Sequence, residues 1–181
     1  METKIAVLRG INVGGKRKLL MADLKSMCED LGCNDVATYI QSGNVIFRSD
    51  KENRELADAL QATLKKKYNY DVPVVVRSSM ELEKSIKNNP FYSDNADVGK
   101  LHLTFLKEKP TKENKQITES YNFEPDKFIV MDKDIFLYCE GKYHETKLSN
   151  VFFEKKLNVE MTTRNWKTVL KLMELCKTFE G

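Results

Sequence analysis

Three short runs are apolar at odd and even positions alike: Ile5-Ala6-Val7-Leu8, Val45-Ile46-Phe47 and Val74-Val75-Val76. A strand with one wet face alternates, whereas a strand without alternation is buried on both sides. That requirement limits the folds open to the chain. Helices must cover one face of the sheet these runs form, and something else must cover the other, either a second part of the chain or a partner.

The segments between the runs supply the first cover. Leu24, Met27, Cys28 and Leu31 recur at steps of three and four, so they line one face of a helix that Gly32 ends with a left-handed cap. Leu56, Leu60 and Leu64 form the stripe of a second helix, capped by Ser49 or Asp50. Val36–Ile40 and Asn44–Arg48 read as a hairpin across Gln41-Ser42-Gly43. Pro73 puts the Val72–Arg77 strand at an edge. The order is β-α-β-β-α-β, a ferredoxin-like unit. A capping box at Ser78-Ser79-Met80-Glu81 then opens a helix that stops before Pro90.

From Leu101 the order begins again. There is a strand to Leu106, a polar helix over 111–119, a hairpin across Asp132-Lys133-Asp134 and a helix over 149–157. A short strand over 159–162 follows, then a last helix from Arg164 with Trp166, Val169, Leu170, Met173 and Cys176 on one side. The expected fold is α+β: two ferredoxin-like (βαββαβ) subdomains packed together, with an extra C-terminal helix. The boundaries fall at 1–78 for the first subdomain, 79–100 for a helix and connecting loop, and 101–181 for the second.

Composition removes several functional classes. Net charge is only +3 over 181 residues, a less basic balance than a dedicated nucleic-acid binder usually shows, so nucleic acid is possible as a partner but not favoured. No apolar stretch approaches a membrane span, and Met1 leads into a strand without a signal core. Cys28, Cys33, Cys139 and Cys176 lack metal-ligand spacing and read as free thiols of a cytoplasmic protein; His102 and His144 read as packing or surface residues. No metal or cofactor is implied, and neither oligomeric state nor enzymatic activity follows from the residues.

Chemistry concentrates in Arg9-Gly10-Ile11-Asn12-Val13-Gly14-Gly15-Lys16, a glycine-rich cationic loop between a strand and a helix, where backbone N–H groups can gather around an anion. The first and second strands run in the same direction, so this loop and the Gln41–Asn44 turn share one rim. The expected site comprises Arg9, Asn12, Gly14, Gly15 and Lys16 around a phosphate or carboxylate, with Gln41, Ser42 and Asn44 orienting the ligand. Arg164 and Asn165 would close it from the other half. Arg164 in a first helical turn opposes the macrodipole and needs an acidic neighbour or ligand. The P-loop pattern fails because Arg17 stands where Ser or Thr would bind Mg²⁺, and an RNA-binding strand fails for want of stacking aromatics. Three readings stay open: a small-anion site, a non-catalytic nucleic-acid or protein-partner module on the same basic edge, and purely structural motifs.

The runs RGINVGGK, MADLK, TYIQSGNVIF and TTRNWKTVLKL, in this order, resemble the bacterial family known as domain of unknown function 1697. That resemblance implies paired ferredoxin-like units and a cytoplasmic setting. It implies no activity, cofactor or catalytic residue.

Overall fold

A computed structural model describes residues 1–180. The chain divides into two compact units, Met1–Lys84 together with the chain from Lys171 onward, and Ser85–Leu170. The first contains β1 (Glu2–Leu8), α1 (Met21–Asp30), β2 (Asn34–Tyr39), β3 (Asn44–Ser49), α2 (Asn53–Tyr68) and β4 (Val74–Ser78), in a sheet of order β2-β3-β1-β4. The second contains β5 (Leu101–Leu106), α4 (Lys112–Glu119), β6 (Lys127–Met131), β7 (Asp134–Tyr138), α5 (Asn150–Leu157) and β8 (Met161–Asn165), ordered β6-β7-β5-β8. All neighbours are antiparallel. Both fourth strands run straight into a helix, α3 (Ser79–Asn88) after β4 and α6 (Trp166–Glu180) after β8. The repeat is therefore β-α-β-β-α-β-α, twice.

Register shows how closely the units correspond. Ile5 faces Arg77 across β1 and β4, and Leu103 faces Arg164 across β5 and β8. Each following residue caps a helix. Ser78 Oγ accepts from Glu81 N at 3.2 Å while Glu81 Oε2 accepts from Ser78 N at 3.0 Å, the expected capping box. Asn165 Oδ1 accepts from Thr168 N at 2.9 Å.

The core of the first unit joins Ala6, Leu8, Val45, Phe47, Val74 and Val76 to the stripes of α1 and α2, with Leu24, Leu60 and Leu64 buried. The alternate strand residues Ile5, Val7, Ile46 and Val75 are at most 1% exposed, so these strands are buried on both sides, as their unbroken apolarity requires. In the second unit Leu106, Ile135 and Leu137 pack with Phe153 and Leu157 of α5. Pro73 precedes β4, which lies at the sheet edge.

Two local readings are corrected. Helix α2 starts at Asn53 with Glu52 at its cap position and no side-chain cap bond; Ser49 Oγ instead accepts from Lys51 N at 3.2 Å, a turn bond that competes with capping. Arg164 lies on β8, not in the first turn of α6, because the strand runs on to Asn165 in register with β5. The macrodipole argument therefore does not apply to it.

His102 on β5 is buried and stacks on Tyr143 at 4.6 Å. Burial lowers its pKa from the ordinary 6.5, with the Lys100 backbone opposing in part. The folded chain thus holds a neutral ring while the unfolded chain takes up the proton. Stability from this group is complete above its ordinary pKa and declines as pH falls below it. Urea midpoints measured across that range should fall less steeply for His102→Gln than for the parent.

Candidate functional site

The connection Arg9–Leu20 joins β1 to α1. It doubles back as a small hairpin, in which Asn12 N donates to Arg17 O at 3.1 Å and Lys16 N donates to Val13 O at 3.0 Å. Gly14 and Gly15 take φ of 58° and 73° at its tip, as a two-residue mirror-image turn needs. Nothing lies within 4 Å of a Cβ built on either glycine, so both face open space. Among the described residues, the Gly14 and Gly15 N–H groups and the Lys16 and Lys18 ammoniums make no bond.

Asn12 holds this hairpin in place. Its Oδ1 accepts from Leu19 N at 2.9 Å, and its Nδ2 donates to Leu19 O at 2.9 Å and to Gln41 O at 2.8 Å. The glycine loop and the β2–β3 turn therefore do converge on one rim, as the strand directions demand. Leu8 N donates to Gly43 O at 2.9 Å, and a Cβ on Gly43 would stand 2.9 Å from the Leu8 Cβ. Asn44, fully buried, donates to Tyr39 O at 3.0 Å and to Ser42 Oγ at 2.9 Å. The amides of Asn12 and Asn44 and the Ser42 hydroxyl thus build the rim. Arg9, half-buried, follows β1 and donates its N–H to Pro73 O at 3.1 Å.

Beneath the hairpin lies an open depression of about 550 Å³, lined by Asn12, Gly15, Lys18, Leu19, Leu20, Asp23, Gln41 and Tyr68. Asp23 Oδ2 accepts from the Tyr68 hydroxyl at 2.9 Å, which raises the phenol's pKa. Tyr70 donates to Lys18 O at 2.9 Å and stacks on Tyr68 at 5.5 Å. Asp23 and Tyr68 were outside the sequence-based site. Their one signal was Tyr68, which continues the stripe of Leu56, Leu60 and Leu64 at the end of α2 but carries a hydroxyl that needs a partner.

Arg164 and Asn165 belong to the second unit. The Arg164 guanidinium donates to Thr162 Oγ1 at 3.1 Å and Thr163 O at 3.0 Å, and burial pulls its pKa down to about 10. The Asn165 oxygen is taken by its cap. Burial pushes the thiols of Cys28 and Cys176 up to about 12 and that of Cys139 to about 11, so they stay protonated and are poor nucleophiles. Among the described residues, no group of three His, Cys, Asp or Glu could hold a metal ion, and no helix is long and apolar enough to cross a membrane.

The second unit supplies an internal control. Leu106 N donates to Lys133 O and Lys107 N to Glu160 O, the counterparts of the Leu8 and Arg9 bonds. Yet the junction there is only Lys107–Thr111, and the turn only Asp132-Lys133. The fold closes without the hairpin, which is an elaboration.

Truncating Asn12 to Ala leaves three backbone groups without their partner and should lower unfolding free energy by about 1–3 kcal/mol in urea titrations. Amide exchange should accelerate across 12–19 first. Gly43→Ala forces both a positive φ and a clash, and should destabilise by a similar ~1–3 kcal/mol.

A family model described as protein of unknown function (DUF1697) matches residues 1–136. Among solved structures, conserved bacterial protein SP0830 from Streptococcus pneumoniae is similar, with a TM-score of 0.77 and 26% identity over 97% of this chain and 98% of that one. No curated protein matches the chain. With the family match spanning the first unit and continuing into the second, the chain belongs to the DUF1697 family of proteins of unknown function.

Proposed function

We propose that the protein binds a small phosphorylated or carboxylated molecule in the depression beneath the β1–α1 hairpin. One observation carries this reading: the hairpin is dispensable to the repeat, yet the connection that contains it contributes Gly15 and the unpaired Lys18 to the lining of a concave surface. The mirror-image turn accounts for both glycines, and their lack of a Cβ leaves the tip open to a ligand.

The lining narrows the chemistry. Lys18 in the depression, with Lys16 two residues before it in the chain, attracts an anionic group. Asp23 on the same wall repels a bare anion, and its carboxylate, already accepting from Tyr68, can accept again. Gln41 also lines the depression, and its side chain carries an amide. The ligand that satisfies these groups carries one anionic group and at least one hydroxyl or amine donor, as a sugar phosphate or hydroxy acid does. Lysines and a glutamine bind and orient; nothing in the lining is arranged as a nucleophile with its base.

A thermal-shift screen of nucleotides, sugar phosphates and organic acids tests the reading. A ligand at about 100 times its dissociation constant adds ~2.7 kcal/mol. Lys18→Ala and Lys16→Ala should each abolish most of that shift while leaving the unliganded midpoint unchanged. A shift that survives both substitutions overturns the assignment. So does a screen without a hit combined with steeply salt-dependent oligonucleotide binding lost in Lys16→Ala, which would make the hairpin a nucleic-acid contact.

A further inference from the structure

The second unit carries its own elaborations, at different junctions. Its α4–β6 connection is Ser120–Asp126 where the first unit has only Leu31–Cys33, and its β7–α5 connection is Cys139–Ser149 where the first has Asp50–Glu52. One side chain ties these two segments together. Asp126 Oδ1 accepts from Glu140 N at 2.9 Å, and Asp126 Oδ2 accepts from the Thr146 hydroxyl. The pair of connections so fixed borders an open cleft of about 790 Å³, lined by Phe91, Glu124, Pro125, Lys127, Tyr138 and Glu140. Its size is that of sites which hold whole small molecules.

The charges on its wall are of two kinds. Glu140 is neutralised where it stands, accepting from Lys100 Nζ at 2.7 Å and from the Tyr138 hydroxyl at 2.5 Å. Glu124 and Lys127 pair neither with each other nor with any other charged group among the described residues; Lys127 Nζ only overlies the Tyr138 ring at 6.0 Å. The remaining wall is apolar, with Phe91 and Tyr138 rings 6.3 Å apart and Pro125 beside them. A plain anion entering here meets the Glu124 carboxylate, and a plain cation meets the Lys127 ammonium. A molecule bearing both charges meets complementary partners at each.

We propose that this cleft binds a small zwitterion with an apolar or aromatic side chain, of the amino-acid class. Its ammonium lies on Glu124, its carboxylate on Lys127, and its side chain against Phe91, Pro125 and Tyr138. The site is separate from the depression in the first unit and does not depend on it.

Isothermal titration of the full chain with L-phenylalanine, phenethylamine and 3-phenylpropionate tests the proposal. L-phenylalanine should bind saturably and about ten-fold or more tighter than either single-charge analogue, a difference of about 1.4 kcal/mol. Glu124→Gln and Lys127→Met should each weaken it by about ten-fold, with unchanged thermal midpoints because both side chains are exposed. Lys18→Ala should leave it untouched, which separates this site from the one beneath the hairpin. Equal binding of the amine or the acid, insensitivity to both substitutions, or no saturable binding of L-phenylalanine overturns the proposal.

Discussion

Three hydrogen bonds from one side chain determine whether the rim of the first unit exists as a surface at all. The Asn12 amide satisfies both backbone groups of Leu19 and the carbonyl of Gln41. A two-stranded hairpin in water is marginal by itself, so Asn12–Arg17 keeps its shape because its base is pinned to a second turn that the sheet already holds. The position suits asparagine for two reasons. Its φ of 57° lies in the left-handed region that this residue tolerates, and its amide offers donor and acceptor together. Aspartate would lack the donor and alanine both.

Behind that pin stands a framework used twice. Strand registers, helix caps and the bonds at the end of β1 and β5 correspond across the units. Even the buried arginines correspond, Arg77 bonding Val76 O and Arg164 bonding Thr162 and Thr163. A buried guanidinium is tolerable when its N–H groups find carbonyls, and the strand ends provide them. With the central strands buried on both sides, the sheet offers little open surface. The units differ in their connections: the β1–α1 junction is long in the first, the α4–β6 and β7–α5 junctions in the second. Each lengthened connection is anchored by a single polar side chain, Asn12 in one unit and Asp126 in the other, and each borders an open cleft.

Much of this was legible in the residues. Unbroken apolar runs and three-to-four spacing predict the strands and helices, since burial and periodicity are local properties of the chain. The capping box at Ser78 and the positive φ at Gly32 follow from side chains acting within a few residues of themselves. The readings at Ser49 and Arg164 differ for separate reasons: at Ser49 a turn bond from Lys51 N, two residues on, displaced the cap, and at Arg164 pairing with the distant strand β5 did so. The glycine loop illustrates the same limit. Val13-Gly14-Gly15-Lys16 fits a simple loop and a mirror-image turn equally well by composition, and only the cross-hairpin bonds from Asn12 N and Lys16 N show the turn.

By itself, then, the order of residues determined the two β-α-β-β-α-β units, which faces are buried, and that the loop after β1 meets the turn after β2, because strand direction follows from connectivity. Tertiary structure alone decided that Asn12 and Asn44 build the rim, and that Asp23 and Tyr68 join Lys18 in a depression. It also brought Glu124 and Lys127 into one cleft with Phe91. The decisive links, Asn12 to Gln41, Asp23 to Tyr68 and Phe91 to the Glu124–Lys127 segment, span tens of residues, and no local preference of the chain encodes a partner that only the closed sheet brings near.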